Sequence, residues 1–292
     1  MMPRSALAAA AWTLVAAALA AAPARAASPV AIVAAENFYG DVALQIGGPE
    51  VRVTGILSSP DQDPHMFEAS PSVARAIAGA RVVISNGIDY DPWMEKLLGA
   101  SRAADRHTIV VAALTGHRTG DNPHVWYDPA VMLAFAGVLA DELGSIDPAH
   151  RDAFRDRLAR FRQSMQPVTA KIAALRARLA GTPVTATEPV LGYMFAALGL
   201  PVRNVGFQMA VMNDTEPSAS TVAAFENDLR THAVRLLVYN SQATDPMAAH
   251  MAALARAASV PVIAVTETEP PGMTYQAWMM AVLDAVDRAL PD

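Results

Sequence analysis

The 292-residue chain contains no cysteine. Export therefore brings no disulfide, and stability must come from an apolar core. The same absence removes thiolate from any metal site and leaves no residue to carry a lipid anchor. Positive charge is also scarce, with 22 Lys and Arg against 28 Asp and Glu and a formal charge of −6. An acidic surface disfavours nucleic acid and anionic lipid as partners. Neither His-Glu-x-x-His nor Gly-x-Ser-x-Gly occurs, so the common metallohydrolase and serine-hydrolase signatures are missing.

Long hydrophobic runs are limited to one. Met1 to Arg4 give a short positive start, Ser5 to Ala22 is an Ala/Leu/Val run, and Ala24-Arg25-Ala26 offers a small-residue cleavage site. Residues 1–26 read as a cleavable secretory signal. The run, about 17 residues, is shorter than the ~20 of a spanning helix. Its removal takes Arg4 and Arg25, two positive charges, so −6 becomes −8. No later stretch reads as long and apolar enough to cross a membrane. The expectation is a soluble periplasmic protein of a Gram-negative bacterium with no lipid anchor.

What is present is an alternation of short apolar strands with helical patterns. Val30 to Ala35, Val51 to Ile56, Arg81 to Asn86 and Thr108 to Ala112 read as four strands, with Ser72 to Ala80 a helix between the second and third. From Pro148 to Ala180 the texture changes. Phe154, Leu158, Phe161, Met165 and Val168 recur at helical spacing in a glycine-free stretch bent near Pro167. Ser145-Ile146-Asp147-Pro148 opens it and Gly181 ends it. Strands then resume at Thr182 to Thr187, Val202 to Phe207, Arg235 to Asn240 and Val262 to Thr266, before a last helix from Tyr275 to Leu290. The expected fold is α/β. It has two lobes, each a four-stranded mainly parallel sheet flanked by helices, joined by one long connecting helix. The expected divisions are 27–146, 147–180 and 181–292.

Open α/β sheets bind ligands beyond the carboxyl ends of their strands. After the second strand comes Asp63-Pro64-His65-Met66-Phe67-Glu68; after the fourth comes Asn122-Pro123-His124-Val125-Trp126-Tyr127-Asp128-Pro129. Two Pro-His loops at equivalent strand ends make His65 and His124 metal-ligand candidates. Thr187-Glu188-Pro189 and Thr266-Glu267-Thr268-Glu269-Pro270 place carboxylates at strand ends of the second half. Each acid alone reads equally as a first-turn helix acid. Together they put two imidazoles opposite two carboxylates. His107, His150, His232 and His250 read as surface residues, and His117 as a weak accessory ligand.

These motifs resemble the zinc/manganese-type substrate-binding proteins of bacterial metal ABC importers. Asp63-Pro64-His65 with Phe67-Glu68 and Pro71-Ser72 is similar to the first ligand loop, and Pro123 to Pro129 to the second. Asn86-Gly87-Ile88 with Trp93-Met94 resembles the segment after the third strand. The resemblance implies metal ligands His65, His124, Glu188 and a fourth carboxylate, either Glu267, where Thr266-Glu267 matches better, or Glu269. It also implies a periplasmic carrier, monomeric and not an enzyme, that delivers metal to a membrane permease with its ATPase. Val205 to Ser220 reads as a polar loop near the cleft, available for docking or for support of the site.

Two imidazoles and two carboxylates suit Zn²⁺ or Mn²⁺, and also Fe²⁺. Glu188 in place of a third histidine hardens the site towards Mn²⁺, while the Irving–Williams order favours Zn²⁺. Imidazoles bind metal when neutral, so affinity is expected to fall below about pH 6. The rival reading is a secreted metal-dependent hydrolase whose ion activates water. It lacks a separate base or nucleophile motif.

Overall fold

Six residues of branched and small apolar character, closed by an acid, form β1 (Val30–Glu36). In this computed structural model β1 lies inside a parallel sheet of order β2-β1-β3-β4. The structure describes residues 28–61, 64–243 and 245–291, His65 without its side chain. The expected signal segment lies outside the described residues. The elements are β1, α1 (Asn37–Gly47), β2 (Val51–Leu57), α2 (Pro71–Ala78), β3 (Val82–Ser85), α3 (Pro92–Ala100), β4 (His107–Val110) and α4 (Pro129–Ile146). They continue with α5 (Arg151–Ser164), α6 (Gln166–Leu179), β5 (Thr185–Ala186), α7 (Gly192–Leu198), α8 (Val205–Met212) and α9 (Ala219–Arg230). The chain ends with β6 (Leu237–Asn240), α10 (Pro246–Ala257), β7 (Val262–Val265) and α11 (Tyr275–Ala289).

Strand alternation divides β1 between two cores. Ile32 and Ala34 join the main core with Phe38, Tyr39, Tyr90 and Trp126. Val33 and Ala35 join a smaller one with Leu57, Ile77 and Trp93. Both faces of the sheet are therefore covered, as a parallel sheet requires. The main core runs on through Leu236, Val238, Val265 and Trp278, so the two halves share it.

The second sheet corrects one expectation. It has three parallel strands, β5-β6-β7, rather than four. The run expected as a strand from Val202 to Phe207 contributes a single bridge, Val202 to Val184. Pro201 has no N–H to offer a ladder. Asn204 then takes φ +61, and the chain turns directly into α8. The same turn changes the expected 205–220 loop: its first half is helix α8, and Ser218 caps α9 by accepting from the Thr221 amide at 3.2 Å.

The connecting segment is two helices. α5 and α6 meet at Met165, ahead of Pro167. Proline removes one helical N–H and crowds the carbonyl four residues back, which places the break. Arg157 ties α5 to the first lobe through the Gly47 carbonyl (2.8 Å) and Glu50 (2.6 Å). Lys171 ties α6 to α11 through Asp284 (3.1 Å) and Asp287 (2.5 Å).

Helix α4 corrects another expectation. Its 18 residues have a mean hydropathy of 1.4, long and apolar enough by composition to cross a bilayer. Val131, Phe135, Leu139 and Leu143 are buried in the main core, and α4 packs along α5 and α1. That packing accounts for its apolar character.

Candidate metal centre

His124 is held from three directions. Val125–Tyr127 form a short 3-10 turn whose side chains are all fully buried. Trp126 stacks on Phe38 at 4.8 Å. Asp128 caps α4 by accepting from the Ala130 amide at 2.8 Å, with Pro129 in the first turn. The imidazole itself has no exposed surface.

Its tautomer follows from the neighbours. Asn122 Nδ2 donates to the Pro189 carbonyl at 2.7 Å, which fixes the amide and leaves Asn122 Oδ1 as an acceptor. That oxygen lies 2.6 Å from His124 Nδ1, so Nδ1 carries a proton. Nε2 then points its other functionality at Glu267 Oε2, 3.2 Å away. Imidazole nitrogen and carboxylate oxygen are both metal-ligand atoms, and a divalent cation can be held between them. Gly192 is required by this arrangement: a Cβ there would sit 2.6 Å from Asn122 Nδ2.

Glu267 is the hub. Its Oε2 accepts from the Tyr90 hydroxyl at 2.8 Å and its Oε1 from Asn240 Nδ2 at 2.6 Å. Asn240 Nδ2 also reaches Glu188 Oε2 at 3.1 Å, so one amide holds both carboxylates. Gln242 Oε1 accepts from the Glu267 and Thr268 amides, and Asn240 Oδ1 from the Gln242 amide at 3.1 Å. Glu188 and Glu267 are both buried. Among the described side chains no trio of His, Asp and Glu already stands at ion-holding separations. His124 and Glu267 form the close pair, and Asn240 links it to Glu188.

His65 sits in a 3-10 turn, Pro64–Met66, and its side chain lies outside the described residues. The strand-end loop leading to it reaches the Glu267 segment: the Ser59 carbonyl accepts from Gln242 Nε2 at 3.3 Å and from the Thr268 hydroxyl at 3.4 Å. Phe67, just beyond His65, packs on Trp93 at 4.8 Å.

Glu269 takes a different position. Its backbone exchanges hydrogen bonds with the Asn37 side chain (2.7 and 3.0 Å), and its buried Oε2 has no partner. Burial, with Asp41 second, pushes its carboxyl up to about 9. Asp41 is itself raised by burial while accepting from the Tyr275 amide at 2.9 Å. This is a seam between the lobes, extended by Tyr127 Oη donating to the Thr266 carbonyl and Tyr275 Oη to the Trp126 carbonyl, each 2.7 Å. His117 lies 3.3 Å from the Tyr193 hydroxyl. His107, His150 and His250 pair with Glu142, Asp147 and Glu226.

The loop after β3 carries Tyr90 at a cost in strain. Gly87, Ile88 and Asp89 take φ of +81, +49 and +65 in succession. A β-branched residue there is unfavourable by roughly 1–3 kcal/mol. Asp91 compensates, accepting from the Asn86 amide (2.7 Å) and the Gly87 amide (2.8 Å). Its carboxyl is pushed up to about 6, burial outweighing those donors.

Tyr90, Asn122, Asn240 and Gln242 escaped the sequence reading as site residues, although a signal existed. Asn240 ends β6, and the strand-end rule applied there finds Asn240 and Gln242.

The model of the family described as zinc-uptake complex component A, periplasmic, matches residues 32–289. A Treponema pallidum (strain Nichols) protein named for metal binding is 23% identical over 282 residues, 88% of this chain and 86% of that one. The manganese-binding lipoprotein MntA of Bacillus subtilis is 25% identical over 142 residues, 46% of either chain. Among solved structures, the periplasmic zinc binding protein TroA from Treponema pallidum has a TM-score of 0.77 at 17% identity, covering 91% of this chain and 100% of that one. With a family model spanning nearly all of its described residues, the chain belongs to the ZnuA family of periplasmic zinc-uptake components.

Proposed function

We propose that the protein captures a divalent transition-metal ion in the periplasm and delivers it to an ABC import permease driven by its ATPase. The ion is cargo, held by His65, His124, Glu188 and Glu267. One observation carries this reading: two fully buried groups, His124 Nε2 and Glu267 Oε2, face each other at 3.2 Å where the lobes meet. An imidazole nitrogen and a carboxylate oxygen buried at that separation are a ligand pair suited to a divalent cation. Glu267 is preferred to Glu269 as the fourth ligand because its carboxylate, not that of Glu269, adjoins His124 and Asn240. Family membership supports uptake as the role, and the manganese-binding relative keeps Mn²⁺ beside Zn²⁺.

The lobes are 27–146 and 181–292, with 147–180 connecting them, and the protein acts as a monomer exported by its signal. The connecting helices are pinned to both lobes, so release of the ion proceeds by opening the seam around Tyr127, Thr266 and Glu269 rather than by a wide hinge.

Elemental analysis of protein purified from its native compartment tests the proposal. Wild type retains about one equivalent of zinc or manganese, and His65→Ala/His124→Ala retains none. Equal metal in both would sink it.

A further inference from the structure

Glu36 ends β1, inside the first sheet, and is completely buried. Neither carboxyl oxygen has a hydrogen-bond partner on another residue. A buried acid without donors is expensive enough to need an explanation. Position supplies one. Alternation puts Glu36 on the same side of β1 as Ile32 and Ala34, facing the core that holds Tyr39, Tyr90, Trp126 and Val125. Tyr90 is the residue whose hydroxyl donates to Glu267. Tyr39 donates to Asn86 Oδ1 at 2.6 Å, and Asn86 Nδ2 donates to the carbonyl of Pro123, beside His124, at 3.0 Å. Glu36 thus stands behind the wall of the metal chamber, at the carboxyl edge of the strand.

The groups around it decide which acid holds a proton. Asp91 receives two backbone N–H groups that solvate its charge; Glu36 receives no side-chain or neighbouring donor. Burial first, and the charge of Asp91 second, raise the Glu36 carboxyl well above the ordinary range. Tyr39 and Tyr90 are both raised, burial leading, with Glu36 among the charges acting on each.

We propose that Glu36 is an additional functional carboxyl of the metal chamber: it holds a proton while the chamber is empty and releases it to solvent when a divalent cation enters, leaving a carboxylate behind Tyr90 that offsets part of the ion's charge. The inference rests on the metal-binding reading above. An arriving ion brings two positive charges to the site that Tyr90 borders. A buried carboxyl nearby answers by ionising. It acts through space and through Tyr90, as a positioning and charge-setting residue.

Calorimetry with Zn²⁺ in buffers of different ionisation enthalpy counts the protons released. Wild type is expected to release one more proton per ion than Glu36→Gln, and Glu36→Gln to bind Zn²⁺ about 10-fold or more weakly. Glu36→Asp should recover the proton count in part. Difference infrared spectroscopy in a Glu269→Gln background, which removes the other raised glutamate, does not depend on Glu36→Gln folding. There a protonated-carboxyl band should vanish on Zn²⁺ addition. Equal proton counts and affinities, or a band that persists in the metal-loaded protein, would overturn the proposal while leaving metal binding intact. Failure of the wild type to bind Zn²⁺ or Mn²⁺ would overturn both.

Discussion

Glu267→Ala is expected to weaken Zn²⁺ and Mn²⁺ binding by about 100-fold or more, while Glu269→Ala leaves affinity essentially unchanged. The magnitude follows from sharing the roughly 10–16 kcal/mol of a four-ligand zinc site among its ligands, which is ~2.5–4 kcal/mol each. Two carboxylates two residues apart have opposite fates because of what each meets. Glu267 accepts from Tyr90 and Asn240 and faces His124. Glu269 is turned to Asn37 and Asp41, with an unpartnered oxygen. The loss in Glu267→Ala also frees the Asn240 amide that holds Glu188. Titration against a chromophoric chelator measures both variants. Affinity lost in Glu269→Ala and kept in Glu267→Ala would reverse the assignment.

The second large effect concerns pH and the metal-free protein. The Glu269 carboxyl is pushed up to about 9, by burial first and Asp41 second, against an ordinary value of about 4.3. The folded state therefore binds more protons than the unfolded state between those values, and stability falls as pH rises through the window. Glu36 and Asp91, both raised chiefly by burial, act in the same direction. Glu269→Gln cannot ionise. Relative to wild type it is expected to gain about 2 kcal/mol on going from pH 5 to pH 8, half of the ~4 kcal/mol of a fully buried group because solvent screens part of the effect, and spread evenly over that range. Urea unfolding across pH reads this directly. Parallel curves for the two proteins would show that Glu269 is not held protonated at the seam.

The parts legible in the sequence were those with local causes. The first sheet follows from short apolar runs, and the His124 loop from a proline-flanked motif at a strand end. The second sheet was misread at Val202 to Phe207, because the same spacing of Val202, Val205 and Phe207 serves a strand or a helix start. Asn204, with its positive φ, decides for the helix. The supporting polar residues were hidden for a different reason. Tyr90 finds Glu267 across 177 positions, and Gln242 finds Ser59 across 183. Nothing near Tyr90 in sequence distinguishes it from any core tyrosine. Glu36 is masked similarly: an acid after Val-Ala-Ile-Val-Ala-Ala reads as the first residue of a helix, and only the packed face of β1 shows it buried.

The central claim is that the ion binds where His124 and Glu267 meet. Anomalous diffraction from crystals grown with Zn²⁺, recorded at the zinc edge, tests it most directly. One dominant peak is predicted about 2.0–2.2 Å from His124 Nε2 and from a Glu267 carboxylate oxygen, with Glu188 and His65 completing the shell. A dominant peak elsewhere, with the His124–Glu267 contact unchanged, would contradict it.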